Sequence, residues 1–157
     1  MTGADLAGIE ESRARVYAWA YRILRNHDDA LDATQDVLLR ALAAPRTEHP
    51  VAWLRRVTIN LCIDQLRRRR PTEPGPELQA PDAETPDEAE RRTRLVAALE
   101  ALTPPQRSIL VAKACDGETF DAIAQSMGIA ASTAKTHYLR ALRRMRDLLG
   151  PREGDLS

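Results

Sequence analysis

Five of the chain's ten prolines fall between positions 71 and 86: Pro71, Pro74, Pro76, Pro81 and Pro86. Each removes a backbone donor and disfavours helix in the residue before it. Among and just after them stand Glu73, Glu77, Asp82, Glu84, Asp87, Glu88 and Glu90, with few apolar residues. Such a stretch cannot join a packed core, so residues 71–87 are expected to form a solvated, extended linker. What remains is two short segments, about 5–70 and 88–150, that must each build a separate core. A lobe of that size buries only ~60% of the surface its unfolded chain exposes.

Hydrophobic residues make up 43% and charged residues 29% of the 157, a globular balance. Aromatics are only 4%, and Ala and Leu lead the apolar set, which favours helices over sheets. The expected fold is therefore all-α, in two small helical lobes. The formal net charge is zero, but the charges are sorted along the chain. Arg67, Arg68, Arg69 and Arg70 form one basic block. Lys135, Arg140, Arg143, Arg144 and Arg146 form another, with no acid from Ala130 to Arg146. A neutral total thus conceals two local anion-binding surfaces.

In the first lobe, Val16, Trp19, Ala20, Ile23 and Leu24 recur at helical spacing over Ala14–Arg25. Asn26-His27-Asp28 breaks this helix, with Asp28 placed to cap the next one and Asp29 and Asp32 to favour its dipole. Leu31, Thr34, Leu38 and Leu42 line one side of the second helix, while Asp29, Asp32, Gln35, Asp36 and Arg40 stay polar. A loop follows from Ala43 to Pro50. A third helix runs from about Val51 to Arg69, with Trp53, Leu54, Val57, Leu61 and Leu66 apolar.

The second lobe opens with a short helix, Leu95 to Leu102. Thr103-Pro-Pro-Gln106 has capping-box spacing with Pro at the first helical position, and its helix runs to about Cys115, ending near Gly117. A helix over Thr119–Met127 is closed by Gly128, a residue able to take the left-handed conformation. Ser132 stands ready to cap a long helix to Leu149. Two helices joined by so short a glycine-containing turn make a helix-turn-helix, a unit that seats its second helix in the DNA major groove. That helix carries short polar and basic residues early. Arg143 and Arg144 are placed to neutralise phosphates, and Leu139, Leu142 and Met145 can pack inward.

Cys62 and Cys115 sit in apolar helical patterns outside any CxxC pair, as small buried hydrophobes would. No apolar run approaches the ~20 residues of a membrane span, and the acidic N-terminus lacks a signal-peptide core, so a cytoplasmic location is expected. With only a short tail after Leu149, no further regulatory domain is expected. His27, His49 and His137 are scattered, and neither HExxH, GxSxG nor a glycine-rich phosphate loop occurs. An enzyme, a metal site and a cofactor are not expected.

Two sets of motifs resemble bacterial RNA polymerase sigma factors. Leu102-Thr-Pro-Pro-Gln-Arg107, Gly117-Glu-Thr-Phe-Asp-Ala-Ile-Ala124, Met127-Gly-Ile129, Ser132-Thr-Ala-Lys135 and Leu139-Arg-Ala-Leu-Arg143 are similar to region 4. Ala20-Tyr-Arg-Ile-Leu24, Asp28-Asp-Ala-Leu-Asp32, Gln35-Asp36, Ala52-Trp-Leu54, Asn60 and Asp64-Gln-Leu-Arg-Arg-Arg-Arg70 are similar to region 2. Nothing similar to region 3 fits in the linker, a layout that resembles the extracytoplasmic-function (ECF) group. The resemblance covers about residues 10–150.

The resemblance implies partners and roles that composition does not. Core RNA polymerase and promoter DNA become the expected partners, and an anti-sigma protein a further one. Region 2, over 5–70, is implied to dock on polymerase through Asp32, Gln35, Asp36 and Arg40. It is also implied to read and open the −10 element through Trp53, Arg56, Asn60, Arg67 and Arg68, with Arg46, His49 and Arg55 nearby. Trp53 also fits a plain core anchor of the third helix. Region 4, over 88–150, is implied to read the −35 element with Lys135, Thr136, Leu139 and Arg140. Lys113, Phe120, Asp121, Ser132 and Thr133, with Arg143 and Arg144, are implied to lie along the DNA backbone. Ala134 departs from the family pattern where a branched residue is usual, which is expected to loosen packing under the recognition helix. His137 and Tyr138 also depart from it. Two rival readings remain open: a sigma-like mimic that occupies an anti-sigma protein, and a helix-turn-helix regulator acting alone.

Overall fold

The computed structural model describes residues 3–44, 50–68 and 84–150, with side chains from residue 8 onward. Most of the expected linker, with Arg69, Arg70, Arg46, His49 and the tail beyond Gly150, lies outside the described residues. Every described element is helical: α1 (Gly3–Leu24), α2 (His27–Ala43), α3 (Pro50–Arg68), α4 (Pro86–Glu100), α5 (Pro104–Ala114), α6 (Phe120–Met127) and α7 (Ala131–Leu149). The all-α expectation holds. The chain divides into two compact units, Met1–Ala89 and Glu90–Ser157.

In the first unit α1, α2 and α3 pack on one another. Val16, Val37 and Leu54 form one buried cluster, and Ala20, Tyr21, Leu24, Ala30, Ala33 and Cys62 form another. The chain turns between α1 and α2 at Arg25, which takes φ 51°. Asn26, not Asp28, then caps α2, its side-chain oxygen accepting from the Asp29 amide at 3.0 Å.

The inward face of α2 differs from expectation as well. Ala30, Ala33, Thr34 and Val37 are buried, whereas Leu31 and Leu42 are 44% and 68% exposed. Small side chains let α2 lie close against its neighbours, and the larger leucines are turned out. Thr34 is tolerated inside because its hydroxyl donates to the Ala30 carbonyl at 2.6 Å. Thr58 does the same on α3, donating to Leu54 at 2.6 Å.

In the second unit α5 and α6 pack against α7. Ile109, Ala112, Ile123, Ala124 and Ala134 form its central cluster, flanked by Leu102, Leu110 and Ala141 with Leu99, Leu142 and Met145. Helix α4 is longer than its apolar pattern indicates. Thr85 and Glu88 form a reciprocal pair at its start, each side chain accepting from the other's amide at 3.2 and 3.3 Å, with Pro86 between. That capping pair ends the proline-rich stretch inside the residues expected to be linker. Thr103 and Gln106 form the expected capping box of α5.

The other end of α4 is closed from across the unit. Arg107 is wholly buried, and its guanidinium donates to the carbonyls of Leu99 at 2.9 Å and Leu102 at 3.0 Å. The Leu102 carbonyl falls where the helix has run out of its own donors, while that of Leu99 also accepts from the Leu102 amide at 3.2 Å. Arg94 likewise donates to the Leu149 carbonyl, 2.7 Å away at the end of α7.

The two cysteines part company. Cys62 is fully buried, and burial pushes its thiol up to about 12. Cys115 is exposed, because it is the C-cap where α5 runs out toward Gly117.

Candidate functional site

The α6–α7 turn sets the geometry of the more basic surface. Thr119 caps α6, and Gly128 ends it at φ 68°, where an L side chain would be strained. Helix α7 then starts at Ala131, one residue before the expected cap Ser132. Ala130 holds the extended N-cap position and offers no side-chain hydrogen bond. Ser132 lies instead in the first turn, exposed, its carbonyl accepting from the Thr136 hydroxyl at 3.0 Å.

Ala134 and Ala141 face fully inward, which fixes the rotation of α7. At 3.6 residues per turn the opposite arc carries Ser132, Lys135, Thr136, Leu139 and Arg143. Thr133, Arg140 and Arg144 border it, and all eight are exposed. Leu139 thus points out, 55% exposed, while Leu142 and Met145 pack inward.

Ala134 is no weak spot. It is buried beside Ala112 and Ala124, and its small size suits close approach of the helices. Tyr138 is a core residue on the second side, joining both clusters of the unit and meeting Phe120 edge-on at 5.4 Å. His137 is half-buried, and its Nδ1 is buried without a hydrogen-bond partner. Lys113 is held inside the unit's own surface. Its Nζ sits 4.7 Å from the centre of the Phe120 ring and donates to the Glu118 carbonyl at 3.3 Å.

On α3, Trp53, Asn60 and Arg67 are seven residues apart in turn and so share one side of the helix. Trp53 and Asn60 are half-buried, and Arg67 and Arg68 are exposed in the last turn. Trp53 also leans on the Val16–Val37–Leu54 cluster, so it anchors the helix while keeping part of its ring at the surface. Arg56 is different: it is only 7% exposed, turned into the unit, and does not join this face. Its neighbour Arg55 lies over the Trp19 ring, 5.1 Å from the centre.

The outward face of α2 carries Asp32, Gln35, Asp36 and Arg40, all exposed. Leu31, Leu39 and Leu42 are interleaved with them at 44%, 64% and 68% exposure. Three large apolar side chains on one exposed arc are unusual for a face that meets only water. Sequence periodicity missed this, since Leu31 and Leu42 fall at spacings that an inward stripe also satisfies. No three His, Cys, Asp or Glu residues gather as metal ligands among the described residues. No described helix is long and apolar enough to cross a membrane.

Residues 9–72 match the Sigma-70 region 2 family model, and residues 92–145 match Sigma-70 region 4. The RNA polymerase sigma-E factor of Streptomyces avermitilis is 34% identical over 87% of this chain and 79% of its own length. The ECF RNA polymerase sigma factor SigM of Mycobacterium tuberculosis is 34% identical over 80% of this chain and 67% of its own. SigE of Mycolicibacterium smegmatis is 28% identical over 95% of this chain, which spans only 63% of that relative. Among solved structures, M. tuberculosis SigJ aligns with TM-score 0.52 at 27% identity, over 90% of this chain and 53% of SigJ. Bartonella quintana RpoE, solved in complex with the anti-sigma factor NepR, has the same fold, with TM-score 0.57 at 22% identity over 94% of this chain and 98% of its own. The two family matches, in this order and on these two helical units, together with the 34% identity to SigM, establish that the chain belongs to the ECF group of RNA polymerase sigma factors.

Proposed function

We propose that the chain directs core RNA polymerase to specific promoters and begins their opening. The observation that carries this reading is the outward arc of α7, where cations and short polar side chains stand together on the second helix of a helix-turn-helix. Lys135, Thr136, Leu139 and Arg140 face base edges of the −35 major groove, where one good bidentate contact discriminates by ~1–3 kcal/mol. Ser132, Thr133, Arg143 and Arg144 lie along phosphates and fix register. Lys113 shapes the α5–α6 turn beside them through its Glu118 and Phe120 contacts.

The first unit does the other two tasks. Trp53, Asn60, Arg67 and Arg68 line the side of α3 that meets the −10 element, offering a ring to an unstacked base and cations to the separated strand. Arg56 belongs to the packing of the unit and leaves this set. Asp32, Gln35, Asp36 and Arg40, with Leu31, Leu39 and Leu42, form the face that docks on polymerase. Several large apolar side chains exposed together on one arc and rimmed by polar residues mark a protein interaction face. In these terms residues 5–70 serve polymerase docking and the −10 element, residues 71–87 link, and residues 88–150 read the −35 element. An anti-sigma protein acting on this chain has to cover the α2 face or the α7 arc. The reading assigns the chain to the cytoplasm and gives it no chemistry of its own.

The test is a footprint of the chain bound to core polymerase on DNA selected for binding. Protection at two sites on one face of the duplex is expected, with unpaired thymines at the downstream site. Protection at a single site without strand opening would contradict the reading.

A further inference from the structure

We infer that Leu139, with Thr136 beside it, reads the 5-methyl group of thymine in the upstream promoter element. The inference rests on the reading of α7 as a recognition helix and adds the chemistry of the base it selects.

A single exposed leucine is ordinary on a protein surface. Leu139 is not placed ordinarily. Ala134 and Ala141 fix the inward side of α7, and Leu139 stands near the middle of the opposite arc. Lys135 is one turn before it, and Arg140 and Arg143 are beside and one turn after it, all exposed. If this arc enters the major groove, Leu139 goes in with it. A leucine there neither donates nor accepts, and next to a base amide or carbonyl it would strip water without replacing it. The one methyl group on the base edges of that groove, and the partner that apolar side chains contact there, is thymine's.

Thr136 strengthens the case. It lies three residues before Leu139, so the two side chains are neighbours on the helix surface. Its hydroxyl proton is already given to the Ser132 carbonyl at 3.0 Å. Thr136 therefore brings an acceptor and a methyl group to the groove, not a free donor. The two residues form a small apolar spot bordered by Lys135 and Arg140, whose side chains pair with guanine O6 and N7. The element this surface fits holds thymine next to guanine contacts.

The experiment uses the full chain bound to sigma-free core polymerase. Preferred duplexes are selected from random DNA. Each thymine of the upstream element is then replaced singly by deoxyuridine, which lacks only the methyl group. At one thymine, affinity is expected to fall about fourfold, the loss of one buried methyl. In Leu139→Ala the parent element should bind more weakly, and the same replacement should now change affinity less than about 1.5-fold on that scale. Leu139 is exposed, and alanine is a strong helix former, so the variant keeps its fold, with unchanged helicity as the check. An upstream element without thymine would overturn the inference alone. So would deoxyuridine effects that are the same in both proteins. If no sequence is selected at all, the recognition reading falls and takes the inference with it.

Discussion

Arg107 carries a full charge at a position with no solvent exposure. Its place in the fold is explained by two carbonyls at the end of α4: Arg107 serves that of Leu102 and adds a second donor to that of Leu99, which also accepts from the Leu102 amide at 3.2 Å. Charge-assisted bonds of this kind are worth roughly 1.5–3 kcal/mol each, and a buried acceptor left unpaired costs roughly 1–3 kcal/mol. Arg107→Met keeps the bulk and removes the donors. It should lower the stability of the second unit by about 3 kcal/mol in denaturant melts. A loss below about 1 kcal/mol would show that the Leu102 carbonyl finds another partner.

The cysteines give a second residue-scale test. The folded thiol of Cys62 is raised to about 12 by burial. Its contribution to stability is therefore complete below the ordinary thiol pKa and is lost only as pH climbs through the raised value. Near pH 8, one thiol per native chain, Cys115, should react quickly with a disulfide reagent, and Cys62 only on unfolding. Two fast thiols would contradict the packing of the first unit. The sequence showed both cysteines inside apolar patterns. It did not show that the last position of such a pattern, at a helix C-cap, lies outside the core. Arg107 was legible as part of a motif but not as a cap, because its partners are backbone carbonyls that leave no mark in residue identity.

At the scale of elements, helix starts marked by a cap were easiest to read. Thr103 with Gln106 and the glycine end of α6 stand as their residue types require. The start of α4 carries no apolar stripe: Thr85 and Glu88 stand at the end of the proline-rich stretch, where Pro86 suits a first helical position. Rotation about a helix axis was harder to read than its ends. On α2, alanines rather than leucines face inward, because close packing selects size as well as polarity. On α7, Ala134 and Ala141 decide the rotation and send Leu139 outward.

Each rotation makes a prediction. Leu39→Glu on α2 should weaken polymerase binding at least tenfold, as loss of an interface anchor does, with little change in melting temperature. A large drop in melting temperature would mean that Leu39 is part of the core. On α7, Arg140→Ala should relax sequence preference at one position of the −35 element. Arg143→Ala should weaken binding to all sequences and reduce the salt slope by about one. Equal weakening of every promoter by Arg140→Ala would contradict its placement at a base edge.

For the whole molecule, the prolines point to two units, as the chain's division at Ala89 and Glu90 has it, and the charge blocks point to two basic surfaces despite the zero total. The docking proposed for α2 has no signature in residue physics. Acids along an exposed helix face look like ordinary solvated charge until the leucines among them are seen to be exposed too. The family match supplies what neither unit shows alone, that both are regions of one sigma factor. The most direct measurement is transcription from a selected promoter by purified sigma-free core polymerase, with and without the chain. The account predicts specific transcripts starting at a fixed distance from the selected element only when the chain is present. Failure of the chain to bind core at low salt, or binding that yields no promoter-specific transcript, would contradict it.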